Sequence, residues 1–255
     1  MRIADIDALV KALPGHVGAY VLDTVTGEEY AFQADDPIEA ASVIKLTVMA
    51  EAFRQFEAGL LDPAARVTIR PEDKLPSCGA LTYMGDGTTV TLLDLVTLMI
   101  ILSDNTATNL LIDRLGMENV NAMIDDLGLT GTRMNRKLFM PELARRGIKN
   151  YVAARDMGLL LRGLLEGRVV SENASADMLG ILRHQRLNGK MPFFLHDKGI
   201  ACAHKTGEDD GVTHDVGVIF AERPVILCFL SERTDVPRAE RALQDIAAIA
   251  AGIAT

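Results

Sequence analysis

The apolar spacing of this chain changes from a strand-like period to a helical one and back, and that order restricts the fold. Residues 17–22 and 29–32 alternate as two strands around a turn at Thr26-Gly27, after a helical pattern over residues 3–13. Further helical patterns cover residues 41–58, 91–102, 106–115, 118–127, 153–166 and 174–185. Strand patterns return at residues 201–205, 212–220 and 225–231, before a helix over residues 238–253. Residues 60–90 are too rich in Pro and Gly to assign.

Strands at both ends of a chain with helices between them predict one sheet that both termini build. We therefore expect a single domain over residues 1–255, in which residues 1–38 and 192–255 form an α/β lobe. Residues 39–191 would form an inserted helical lobe. A cleft between two lobes is the usual place for a small-molecule site.

Composition excludes several classes of partner. The net charge of -9 argues against nucleic acid and anionic membranes, and no run of 18 apolar residues occurs. The cysteines Cys78, Cys202 and Cys228 are odd in number and widely spaced, which predicts free thiols and a reducing compartment. Acidic residues interrupt the N-terminus where a signal peptide needs an apolar core. We expect a cytoplasmic monomer as the sequence stands, or a periplasmic or secreted one if a leader was removed.

The helix that begins near Ser42 carries a possible nucleophile. Lys45 follows Ser42 by three residues, so on a helix both side chains lie on one face, about one turn apart. A serine hydroxyl needs a neighbour that accepts its proton, and a lysine can do so only if its pKa is lowered by burial or nearby positive charge. The residues after Lys45 are apolar on nearly every face, which predicts such burial.

Two other short motifs could line the same cleft. Ser103-Asp104-Asn105 interrupts the helical region, and Lys205-Thr206-Gly207 ends the first late strand. Taken singly, each has an ordinary explanation: a capping pair at Ser42, a helix-breaking turn at Ser103 and a strand end at Lys205. All three in this order are poorly explained by chance.

The motifs S-x-x-K, S-D-N and K-T-G are the signature of class A β-lactamases and related penicillin-binding serine hydrolases, and the chain resembles that family. Beyond the motifs, residues 103–111 resemble the family's segment at and after S-D-N, and Gly211 and Asp215 resemble positions of its late strand pair. The order of the predicted elements matches the family's fold over about residues 10–255. It implies an α/β, β-lactamase/transpeptidase-like fold. In that fold an antiparallel sheet lobe from both termini carries an inserted all-α lobe, and the active site lies in the cleft between them.

The resemblance implies a role for each matching residue. Ser42 would be the acylated nucleophile, and Lys45 would accept or relay its proton. Ser103 would pass a proton to the leaving nitrogen, while Asn105 would orient Lys45 and the amide side chain of the substrate. The substrate carboxylate would be held by Lys205 and Thr206 of the K-T-G motif, which Gly207 completes. The backbone N–H groups of Ser42 and Glu208 would form the oxyanion hole.

One position departs from the family pattern. Class A β-lactamases carry E-x-x-L-N, whose glutamate activates the water that hydrolyses the acyl-enzyme. Here Met140 stands in place of that glutamate and Ala144 in place of the asparagine, with Glu142 nearby. Methionine cannot act as a base, so deacylation would be slow unless another group substitutes.

We therefore expect a hydrolase that opens β-lactams or related peptide-like amides through Ser42, without a cofactor. Two alternatives remain: a penicillin-binding peptidase or amidase with slow deacylation, and a sensor or binding domain without turnover.

The histidines offer no second kind of site. His204 and His214 lie on neighbouring predicted strands, but H-x-x-x-H pairs and cysteine clusters are absent from the sequence, so no metal site is expected. We expect these histidines on a strand surface or in the cleft wall. Cys78 could line the cleft or be a buried structural thiol.

Overall fold

A computed structural model describes residues 2–253. The α-helices are α1 (Ile3–Lys11), α2 (Lys45–Glu57), α3 (Leu92–Ile101), α4 (Asn105–Leu115), α5 (Met117–Asp126), α6 (Pro141–Arg145), α7 (Ala154–Leu165), α8 (Glu172–Arg183) and α9 (Val236–Ala250). The strands are β1 (His16–Asp23), β2 (Glu29–Phe32), β3 (Ile38–Glu39), β4 (Arg66–Thr68), β5 (Thr89–Thr91), β6 (Tyr151–Val152), β7 (Ala201–Asp209), β8 (Val212–Phe220) and β9 (Pro224–Glu232). None of the helices in this part of the chain is long and apolar enough to cross a membrane.

Strands from both ends of the chain form one antiparallel sheet, as the sequence predicted. Its order is β2-β1-β9-β8-β7, so the N-terminal hairpin joins the C-terminal strands through the pairing of β1 with β9. Strand β7, which carries the K-T-G motif, lies at the edge. An edge strand keeps one row of backbone groups free for other partners.

Both faces of the sheet are covered, which explains why β9 is apolar at consecutive positions. Leu227 and Phe229 pack into a core with the helices α1 and α9, whereas Ile226 and Cys228 pack into the larger core on the opposite face. Successive side chains of a strand point to opposite faces, so burial on both sides requires an unbroken apolar run.

Helix α2 runs through the larger core. Nine consecutive residues from its start, 45–53, are buried, as the apolar sequence predicted. The buried carboxylate of Glu51 accepts hydrogen bonds from Arg54 and Gln55 of the same helix. The helix ends before Gly59, whose φ of +67° lets the chain reverse there.

Several elements differ from the sequence prediction. Ser42 was expected on the helix, but it lies in a 3-10 turn, Ala41–Ile44, that precedes α2. The unassigned residues 60–90 contain the strands β4 and β5, which pair with each other. Helix α6 and the two-residue strands β3 and β6 are too short to show a period. Thr91 and Asp94 form a capping box before α3, since each side chain accepts a hydrogen bond from the backbone N–H of the other residue.

Candidate active site

The turn that presents Ser42 is held in an uncommon conformation. Ala41 has a φ of +41°, in the left-handed region that a side chain disfavours. The N–H of Val43 donates to the carbonyl of Ala40, which closes the turn. Ser42 is half-buried, while Val43 faces the core. The turn therefore points the serine out of the core at the mouth of the cleft.

Strand β7 approaches this turn closely because it carries a glycine there. A Cβ on Gly207 would lie 2.9 Å from Cδ2 of His214, 3.1 Å from Cγ2 of Val43 and 3.3 Å from Cβ of Ala41. Real side chains do not fit at such distances without displacing a neighbour. Gly207 thus lets the K-T-G strand pack against the Ser42 turn.

Lys45 is fully buried, and its ammonium has three oxygen partners. Nζ donates to the carbonyl of Ser103 at 2.7 Å, to Oγ of Ser103 at 3.0 Å and to Oδ1 of Asn105 at 2.9 Å. Burial, followed by the positive charge of Lys205, holds the pKa of Lys45 well below its ordinary value. A larger share of neutral amine makes Lys45 a better proton acceptor.

Ser103 joins two lysines. Its Oγ lies 3.0 Å from Nζ of Lys45 and 3.1 Å from Nζ of Lys205, and its own φ is +54°. A hydroxyl can accept hydrogen bonds and also donate one. Ser103 can therefore receive a proton from one neighbour and pass it to another group.

Asp104 holds this loop together and does not face the cleft. Its carboxylate caps α4 at the N–H of Ala107 and also accepts from the N–H groups of Ala80 and Leu81. Gly79 makes room, because a Cβ there would meet the carboxylate of Asp104 at 2.3 Å. The middle residue of the S-D-N motif thus fixes the loop that bears Cys78.

Lys205 is the second buried cation of the site. Its Nζ donates to the carbonyl of Thr206 at 2.7 Å, besides its contact with Ser103. Burial lowers the pKa of Lys205 to about 7, against the negative charge of Asp215, which raises it. At neutral pH a substantial fraction of Lys205 therefore remains positive and can attract an anion.

The cleft in front of these groups has a volume of about 320 Å³. Three of the eight residues predicted for the site line it: Ser42, Asn105 and Glu208. The other five do not line the cleft and are buried: Lys45, Ser103, Lys205, Thr206 and Gly207. The remaining lining residues are Glu39, Ala41, Ser77, Cys78, Arg136, Leu138, Phe139, Met140, Pro141, Ala144, Asn150 and Asp209. The exposed thiol of Cys78 is thus a cleft residue, not a structural one.

One wall of the cleft is a loop whose ends are tied together by Asn150. Its Oδ1 accepts from the N–H groups of Asn135 and Arg136, and its Nδ2 donates to the carbonyl of Arg136. This loop brings Met140 into the cleft, with 37% of the residue exposed. Glu142 is exposed and is not among the lining residues.

The expected positions of His204 and His214, on a strand surface or in the cleft wall, were wrong, since both are buried and neither lines the cleft. His204 places Nδ1 2.8 Å from Oδ1 of Asp215 and Nε2 3.0 Å from Oδ1 of Asn188. Strands β7 and β8 are covered on both faces, which the period alone does not reveal. Among residues 2–253, no three His, Cys, Asp or Glu side chains cluster closely enough to hold a metal ion.

His214 links three strands near Ser42. Its Nδ1 accepts from the N–H of Ser231 at 3.0 Å, and its Nε2 lies 2.8 Å from the carbonyl of Glu39. These partners assign the proton to Nε2 and require a neutral ring. Burial lowers the pKa of His214 to about 4, which agrees with that form.

Sequence reasoning did not assign Glu39, Asn150 or Lys190 to the site, and it considered His214 only for a strand surface or the cleft wall. All four act through contacts between distant segments, which the sequence pattern does not reveal.

Comparisons with known proteins agree with the architecture. The family model described as the β-lactamase enzyme family matches residues 2–253. The β-lactamase CTX-M-97 of Escherichia coli is 26% identical over 98% of this chain and 87% of its own length.

Solved structures give the same result. A β-lactamase from Sphaerobacter thermophilus DSM 20745 superposes with a TM-score of 0.91 at 32% identity over the full length of both chains. A mutant of PBP-A, solved as an acyl-enzyme complex with penicillin G, gives a TM-score of 0.87 at 28% identity over 98% of this chain and 94% of its own. With a family match along nearly its whole length, the chain belongs to the β-lactamase enzyme family, of class A type.

Proposed function

We propose that this protein reacts with β-lactams by forming an acyl-enzyme on Ser42. The observation that carries the proposal is the arrangement behind Ser42: Lys45 and Lys205 are both buried, and both contact Oγ of Ser103. The hydroxyl of Ser42 attacks the lactam carbonyl carbon and loses its proton to neutral Lys45. The lowered pKa of Lys45 supports that role.

Ser103 completes the transfer of the proton. As the lactam C–N bond breaks, the nitrogen needs a proton, which Ser103 gives while it receives one from Lys45. The 3.0 Å contact between Lys45 and Ser103 is short enough for that relay. The lactam ring opens, and its carbonyl carbon becomes an ester of Ser42.

Binding of the lactam uses the end of strand β7. The N–H groups of Ser42 and Glu208, both residues of the cleft, would stabilise the negative oxygen of the tetrahedral intermediate. The carboxylate of the lactam would face Lys205 and Thr206. Asn105 holds Lys45 through its Oδ1, so it can orient the base while its position in the cleft allows contact with substrate.

The cleft is less well equipped to hydrolyse the acyl-enzyme than to form it. Met140 occupies the wall where the family carries its base, and Glu142 lies outside the cleft lining. The cleft carboxylates belong to Glu39, Glu208 and Asp209. Glu39 is paired with Lys149 at 2.6 Å and Glu208 with Lys190 at 3.1 Å, which disfavours both as bases.

A cleft wall with Met140 in place of a base favours a second candidate function. A penicillin-binding peptidase or amidase would share the acylation machinery but release a lactam slowly. A sensor domain would form the same adduct without any turnover.

Intact-protein mass spectrometry after mixing with a penicillin and a cephalosporin separates these functions. We expect an adduct of the mass of the intact lactam in the wild type and none in Ser42→Ala. A persistent adduct together with cleavage of a D-Ala-D-Ala peptide supports the peptidase, and persistence without cleavage supports the sensor. An adduct that clears while product accumulates supports a β-lactamase. No adduct with any lactam would contradict acylation of Ser42.

A further inference from the structure

Lys190 is a buried cation outside the three motifs. It lies in the segment between α8 and β7, and its side chain is only 5% exposed. A lysine is rarely buried unless its ammonium has compensating partners. What Lys190 contacts therefore indicates why it is there.

Each of the three N–H donors of Lys190 has an oxygen within reach. Nζ lies 3.2 Å from the carbonyl of Gly207, 3.4 Å from the carbonyl of His214 and 3.1 Å from Oε1 of Glu208. An ammonium has three donors, so these contacts use all of them. Glu240 of α9 adds a fourth oxygen at 3.7 Å.

The three closer partners belong to the end of the K-T-G strand and to β8, which pairs with it in the sheet. Gly207 and His214 are directly opposite each other on β7 and β8. Because β7 is the edge strand, no strand on its outer side fixes its position. One ammonium that bonds carbonyls of both strands ties the edge strand to the sheet at Gly207.

A small displacement of β7 at Gly207 would affect the acylation of Ser42 directly. Gly207 packs against the Ser42 turn, and the next residue, Glu208, supplies one N–H of the oxyanion hole under the proposed function. A donor must lie within hydrogen-bond distance of the developing charge, so a shift of about 1 Å can lower a rate up to a hundredfold.

We propose that Lys190 is a positioning residue, which holds the Gly207–Glu208 end of β7 in place for acylation of Ser42. The assignment rests on the proposed function for its kinetic consequence, but its structural part stands on the contacts alone. Lys190 does not touch the reacting atoms, since its three donors are occupied by protein oxygens. The exposed carboxylate of Glu208 is the weakest of these partners, because solvent screens that pair.

Lys190 also contributes charge at the site. Its ammonium lowers the pKa of Lys205, whereas Asp215, Cys78 and Glu208 raise it. Lys45 adds a further positive charge beside Lys205 on the side of α2. Loss of Lys190 would therefore raise the pKa of Lys205 and keep that residue charged to higher pH.

The test compares Lys190→Met with Lys190→Arg, and with Lys198→Met as a control on an exposed lysine of the same segment. We expect the acylation rate constant at saturating lactam to fall about tenfold to a hundredfold in Lys190→Met. Lys190→Arg, which keeps the charge and the donors, should recover to within about threefold. The alkaline limb of the acylation profile should move to higher pH in Lys190→Met. If that variant does not fold, Lys190→Gln, which keeps amide donors, replaces it.

Hydrogen exchange of the peptide 205–216 tests the position of β7 independently of acylation. We expect faster exchange there in Lys190→Met than in Lys198→Met. A folded Lys190→Met that acylates within about threefold of the wild type, or a peptide 205–216 that exchanges at the wild-type rate, overturns the proposal. If the wild type forms no adduct, the proposed function fails, while the exchange measurement still decides whether Lys190 positions β7.

Discussion

Acidification should destabilise this protein through one buried histidine. His214 accepts the N–H of Ser231 at Nδ1, so protonation of that nitrogen removes an acceptor and places two donors face to face. Its Nε2 holds the carbonyl of Glu39, three residues before the nucleophile. A change at His214 would thus reach both the sheet and the Ser42 turn.

The size of the effect follows from the pKa of His214, which burial lowers from 6.5 to about 4. Each pKa unit corresponds to about 1.4 kcal/mol, so the lowered pKa of His214 in the folded state contributes about 3 kcal/mol to the free energy of unfolding at neutral pH. Because the unfolded chain binds the proton first, the stabilisation is complete above about pH 6.5. It is lost progressively as the pH falls to about 4 and changes little below that.

Urea unfolding at pH 7, 5.5 and 4 measures this contribution, with His214→Gln as the matched variant. Carboxylates titrate in both proteins, so their effect cancels in the difference between the two pH dependences. We expect the free energy of unfolding of the wild type to fall by about 3 kcal/mol more than that of His214→Gln between pH 7 and 4. Equal falls, or an NMR titration of His214 with a pKa of 6.5 or above, would refute the reasoning.

Two substitutions at the candidate site test the remaining structural claims. Met140→Glu places a carboxylate in the wall that lacks a base, and should speed the loss of a lactam adduct at least about a hundredfold by mass spectrometry. An unchanged adduct lifetime would show that position 140 does not face the ester. Gly207→Ala adds a methyl group 2.9 Å from the ring of His214. It should cost about 1–3 kcal/mol of stability and slow acylation, measured by urea unfolding and stopped-flow mixing, whereas wild-type values would contradict the close approach of β7.

The three sequence motifs predicted residues that lie close together in the structure. Lys45 and Lys205 both contact Oγ of Ser103, and Ser42 lines the cleft in front of them. The roles of these residues in acylation stay a prediction. The apolar periods predicted a sheet built from both termini and the buried helix α2, because each element is long enough to show its period, whereas the antiparallel arrangement followed from the family resemblance.

Residues that act through distant contacts could not be predicted in the same way. Lys190, His214 and Asn150 each bond backbone groups of segments far from them in the sequence. Their residue types are compatible with many other roles, and no spacing links them to their partners. Strand β3 has two residues, too few for any period, although it fixes the start of the Ser42 turn.

The two lysines that share Ser103 are not equivalent, and their difference supports the roles proposed for them. Two ammonium groups on one hydroxyl repel each other, so the site favours a state in which one of them is neutral. Lys205 has Asp215 on the adjacent strand, which supports its charge, and its pKa falls only to about 7. Burial, and after it the charge of Lys205, holds the pKa of Lys45 well below its ordinary value, and none of the three hydrogen-bond partners of its ammonium is an acid. Lys45 is thus suited to accept the proton of Ser42, while Lys205 keeps the charge that attracts a carboxylate.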